Sequence, residues 1–263
     1  MKKLCYLIKI TFQTKFAYIK AFWFNIFGTA VSILIYYFLW KYVFQSRNEL
    51  HGFTAAQITT YVILSRLLSS QFSGGINREF AEWVQRGDIV VELLRPVPLV
   101  FTRFGKRVGE FLFFFLFKGI PVTILASLIL GGIGPDSAAN LILFFTSVLI
   151  SIGLMFWIEI MVGLVSFFTL SSSGLGYTKT ALISILSGGI VPLFLFPEGL
   201  ARVLDYMPSA GLVSVPVQIY LGKYTATEAF SFLGLQIVWV ILLGTGAMTF
   251  YRFAMKKVVV QGG

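Results

Sequence analysis

Three ionisable residues lie inside long apolar runs of this 263-residue chain: Arg66, Lys118 and Glu159. Each costs about 2.5–3.5 kcal/mol on insertion scales if it sits at membrane depth, so each must find a partner or line a wet path. Two chemistries follow. A Glu159–Lys118 pair between neighbouring helices would be structural, with Arg66 extending its apolar stem to carry its charge to the interface. Alternatively, Glu159 lies on a translocation path, and Lys118 with Glu159 serves ion coupling in a secondary transporter. Other chemistry is poorly supplied. One histidine, His51, in a polar turn, and one cysteine, Cys5, cannot assemble a Cys/His metal site or a disulfide framework. No Gly-x-x-x-x-Gly-Lys-Ser/Thr loop and no Gly-x-Ser-x-Gly elbow occur, and Ser171, Ser172 and Ser173 have no credible base nearby. The chain is therefore expected not to be an enzyme, with no cofactor or metal of its own.

A second group of reactive side chains is concentrated in residues 76–98, INREFAEWVQRGDIVVELLRPVP. Glu79, Glu82, Asp88 and Glu92 stand there with Arg78, Arg86 and Arg95, in a chain only 12% charged. Phe80, Trp83 and Val84 recur at helical spacing while Arg78, Glu79, Glu82, Gln85 and Arg86 face the other way. Gly87 is a natural helix stop, and Asp88 can cap a second short helix that must end before Pro96. The stretch is expected to stay in water and meet a soluble partner there.

The elements that position these groups are apolar. The chain is 57% hydrophobic with 28 Phe, 11 Tyr and 5 Trp, more apolar surface than a soluble domain of this length can bury. Apolar runs of about 18 residues or more recur, and the alternation of a membrane β-barrel does not. We expect an all-α membrane protein with an interfacial helix at 1–21 and six spans at 22–44, 54–72, 108–130, 141–170, 180–197 and 229–255. Thr54 opening onto Gln57 suits a helix start. Residues 171–179 read as a short turn. The fifth apolar block contains Gly188, Gly189 and Pro192 and is expected to be a broken helix, followed at 198–227 by a re-entrant or surface-lying external element. Of the 21 Lys and Arg, only Lys41, Arg47, Arg202 and Lys223 then fall outside, with Arg66 and Lys118 within spans. That bias places both termini and residues 76–98 in the cytoplasm. It also explains the net charge of +10 by orientation and anionic lipid, with no nucleic-acid partner.

This organisation, with YVILSRLL at 61–68, Gly87-Asp88-Ile89, Leu93-Leu94-Arg95-Pro96, Pro192 and Phe196-Pro197, resembles the permease subunits of ABC-2 type transporters. More narrowly it is similar to a branch of chains about this long, encoded beside an ATPase and a second permease. The resemblance implies a coupling helix at 77–87 in the loop 76–98, touching a separate cytoplasmic ATPase that binds ATP and Mg. Phe80 and Trp83 would be its apolar anchors, Glu82 and Arg86 its charged contacts, with Gly87 and Asp88 closing it. It implies a dimer of permeases, the second a different chain by preference, in a bacterial cytoplasmic membrane. Re-entrant helices would occupy 191–220, and an amphipathic or hydrophobic substrate would be exported.

Overall fold

Backbone amides in hydrocarbon must bond within their own segment, so the apolar runs coil. The computed structural model describes residues 2–46, 49–72, 76, 79, 80, 82, 83, 94, 97–165, 168 and 172–256. Helix α1 (Lys2–Ala17) is followed after one residue by α2 (Ile19–Val43), and α3 covers Ala55–Ser69. Helix α4 (Leu99–Phe114) continues through a π turn (Phe115–Gly119) into α5 (Ile120–Leu130). Then come α6 (Ala138–Val165), α7 (Ser172–Leu186), α8 (Glu198–Asp205), α9 (Ser214–Tyr220) and α10 (Ala226–Lys256). Four of these stretches are long and apolar enough to cross a membrane: α2, Leu99–Leu130, α6 and Ala226–Met255. The chain is an all-α membrane protein in its architecture, with one two-stranded hairpin among the described residues. Exposed aromatics on α2, among them Trp23, Phe24, Phe27 and Phe38, form the apolar outer face such a helix needs.

Helices α3 and α7 have 15 residues each, about 22 Å of rise against about 30 Å of hydrocarbon. Helix α3 is buried on almost every side, from Ile58 through Leu68. Its start is the capping box expected at Thr54: the Gln57 amide donates to Thr54 Oγ1 (3.3 Å), and the Thr54 amide donates to Gln57 Oε1 (3.1 Å). Just before it, Glu49–Leu50 pairs with Phe53–Thr54 through a two-residue turn in which His51 (φ 49°) and Gly52 (φ 75°) are both left-handed.

Two departures from expectation concern helix limits. Residues 172–179 open α7 and are not a turn, and the helix of the third apolar block begins at Leu99, ahead of Val108. In both places charged residues are carried inside a helix where tertiary partners receive them, Glu159 for Lys179 and Glu79, Trp83 and Glu159 for Arg103 and Arg107, a compensation that local propensity does not contain. The π turn has a local cause. Pro121 has no amide to donate, and its ring displaces the preceding turn, so the Ile120 amide bonds Phe115 O in the wider register.

Helix α6 is central, packing along α10 and against α9. Helix α1 lies against α4 where Gly105 and Gly109 let the backbones approach. A Cβ at Gly105 would stand 2.6 Å from Leu7 Cδ1, and one at Gly109 2.9 Å from Thr11 Cβ.

Helix α7 ends at Leu186 as the glycines enter. Gly188 is left-handed (φ 78°), and its carbonyl accepts a 2.9 Å hydrogen bond from the Tyr61 hydroxyl of α3. Gly188→Ala should therefore destabilise the chain by more than about 1 kcal/mol, since a Cβ there would also lie 2.7 Å from that hydroxyl. A Tm in detergent equal to that of the wild type would refute this. Beyond the break, α8 rests at the surface with Leu200 and Val203 exposed, as is Tyr206 just past its end, whereas every residue of α9 is buried.

Candidate functional site

One face of α4 carries Arg103, Arg107 and Glu110, spaced by one turn and then by three residues, and these organise the described part of the loop and three other helices. Arg103 is 5% exposed. Its guanidinium stacks over the Trp83 ring at 4.1 Å and is ion-paired with Glu79. One turn along, Arg107 donates to the carbonyl of Gln71 just past α3 (3.0 Å) and lies 3.8 Å from Glu159 of α6. Lys179 of α7 reaches the same carboxylate at 3.6 Å, and Glu110 pairs with Lys15 of α1 at 3.1 Å.

Glu159 is fully buried, and the two cations stand at ion-pair distances longer than a hydrogen bond. Neither of its oxygens has a hydrogen-bond partner among the described residues. Attraction between buried charges is strong at such distances because little water screens it. The carboxylate is thus held by two cations from two other helices without being tied to either.

The expected Glu159–Lys118 pair does not form. Lys118 sits eleven residues beyond Arg107, about three turns away, and donates instead to Asn25 Oδ1 of α2 (2.5 Å) and Ser70 Oγ (3.0 Å). Arg66 is half-buried, its guanidinium lying over the Tyr36 ring of α2 at 4.3 Å with Nε and Nη2 buried.

In the loop, Phe80 is 0% exposed and packs with Ile76 into a cluster of Leu99, Phe156, Ile160, Leu164, Ala247 and Ala254. These partners come from α4, α6 and α10, so Phe80 anchors the loop to the chain's own helices and presents no surface to another protein. Trp83 packs at the rim of that cluster, and Glu82, like Trp83, is partly exposed. Arg86, Gly87 and Asp88 lie outside the described residues.

Sequence reasoning missed Arg103, Arg107, Glu110 and Lys179 as site residues. The first three carried a signal: extending the third helix back to Pro98 places them on one face. Lys179 carried none, since only its approach to Glu159 distinguishes it from a basic residue at a helix end.

No curated protein matches the chain. The family model described as ABC-2 family transporter protein matches residues 30–262, which takes in every span candidate but the start of α2, together with the loop and the charge cluster apart from Lys15. Spanning helices, an anchored polar loop and that match agree: the chain belongs to the ABC-2 transporter family, as an integral-membrane permease of an ABC transporter.

Proposed function

We propose that this permease is driven by a separate cytoplasmic ATPase, which binds ATP and Mg and docks on residues 76–98. The observation that carries the proposal is the double attachment of the loop. Phe80 and Ile76 tie it to α4, α6 and α10 by apolar packing, and Arg103 ties Trp83 and Glu79 to α4. Arg107, one turn further, engages the end of α3 and Glu159 of α6, which also meets α7. A push on the loop would thus arrive as a displacement of packed helices, because close-packed side chains transmit strain.

In this proposal α3 and α7 complete six spans, α7 being the short fifth, with α8 and α9 on the external side. Both termini and the loop face the cytoplasm of a bacterial cell in this reading, and the excess of basic residues near those span ends supports that orientation. A second permease, a different chain by preference, closes the path, and an amphipathic or hydrophobic substrate is exported. An ion-coupled carrier would need Lys118 and Glu159 on one route, and their separate partners do not favour it.

The test is purification with and without the ATPase. ATP hydrolysis should depend on both chains, and Trp83→Ala should weaken their association roughly 30-fold, the effect of about 2 kcal/mol at an interface hot spot. Proton-driven transport by this chain alone would sink the proposal.

A further inference from the structure

A cavity of about 570 Å³ lies where α1, the start of α2, the end of α3 and α4 meet. Lys118, 2% exposed, is part of its wall. An ammonium carries three protons; among the described residues Lys118 donates to Asn25 Oδ1 and Ser70 Oγ, both neutral, and stands 5.6 Å from the Phe114 ring centroid. Among the described residues no carboxylate lies within ion-pair distance of it. The acidic residues of the wall are engaged elsewhere, Glu110 with Lys15 and Arg107, Glu79 with Arg103. A buried cation without a counter-charge is costly, and this one is set on a π turn, a local distortion often found at functional sites.

The mouth indicates what would supply the charge. Thr14, Tyr18, Ala21 and Asn25 line the cavity and are exposed, so it opens at the bend between α1 and α2. Around that bend Phe16, Ile19, Trp23 and Phe24 are exposed, interleaved with Lys15 and Lys20. Aromatics with lysines suit the boundary between headgroups and acyl chains. We propose that the cavity binds the phosphate headgroup of an anionic amphiphile, Lys118 receiving the charge while the apolar tail lies along α1 and α2. This rests on the chain's being embedded in a membrane and not on its coupling to an ATPase, so it is tested on the permease alone.

The full-length chain in neutral detergent would be titrated with phosphatidylglycerol, phosphatidylcholine and inorganic phosphate, and binding read from tryptophan fluorescence and Tm. Phosphatidylglycerol should bind at least tenfold more tightly than phosphatidylcholine. Lys118→Met should abolish that preference without lowering Tm, and Lys118→Arg should retain it. Should Lys118→Met not fold, Thr14→Trp, which fills the mouth from an exposed position, must abolish the preference instead. Equal binding of the two lipids, or a preference that survives both Lys118→Met and Thr14→Trp, overturns the proposal. Inorganic phosphate binding as tightly as phosphatidylglycerol would overturn the assignment to an amphiphile.

Discussion

Glu159→Leu is expected to cost the folded permease about 3–5 kcal/mol, the usual penalty for removing one partner from a buried charge group. The carboxylate is 0% exposed and stands between Arg107 and Lys179, both themselves buried. Deleting it leaves two like charges facing each other across α4 and α7, with the Gln71 carbonyl and the longer contact to Glu110 left to Arg107 among the described residues. Unfolding in detergent, followed by fluorescence, measures the loss. Lys179→Met added to Glu159→Leu should recover part of it, because residues that share one network do not act additively. Glu159→Gln separates structure from transport, since it keeps the shape and removes the charge. A folded, transport-dead Glu159→Gln would place the carboxylate on the path. Unchanged transport with reduced expression would leave it a structural role alone. A Glu159→Leu protein as stable as the wild type would show that α6 is not held to α4 and α7 by this group.

Phe80→Ala is the second large effect, and its expected signature is uncoupling with assembly intact. Truncating a buried Phe costs about 3–5 kcal/mol of local packing. Here that energy holds the loop to Leu99, Phe156, Ile160 and Leu164, so its loss should release the loop before it unfolds the spans. The ATPase would still find Glu82 and Trp83, and the two chains should co-purify. Transport per ATP hydrolysed should fall at least tenfold. Trp83→Ala should do the reverse, weakening association first. Phe80→Ala with full coupling would show that the apolar cluster does not carry the motion.

The contrast between these residues marks how far the sequence could be read. Helical spacing put Phe80 and Trp83 on one apolar face, and both do turn towards the same cluster. Spacing does not say whether a neighbouring helix or another protein covers that face, and for Phe80 the chain's own α4, α6 and α10 do. In the sequence Arg103 and Arg107 count only among the basic residues beside an apolar run, which ordinarily mean cytoplasm. Nothing local showed that Trp83, Glu79 and Glu159 would receive them.

What the sequence by itself determined was wherever the backbone decides. Long apolar runs must coil, because amides in hydrocarbon have no other partner. Thr54 with Gln57 closes the first turn of α3, Pro121 disturbs the helix just before it, and Gly188 with Gly189 lies just beyond the end of α7, each by interactions within a few residues. Only the tertiary structure decided which buried charges meet. Glu159 faces Arg107 and Lys179, and Lys118 faces Asn25 and Ser70, because partner choice depends on the depth and rotation of each helix. Those are set by packing between segments far apart in the chain, such as α1 seated on Gly105 and Gly109, and by the π turn that re-aims Lys118.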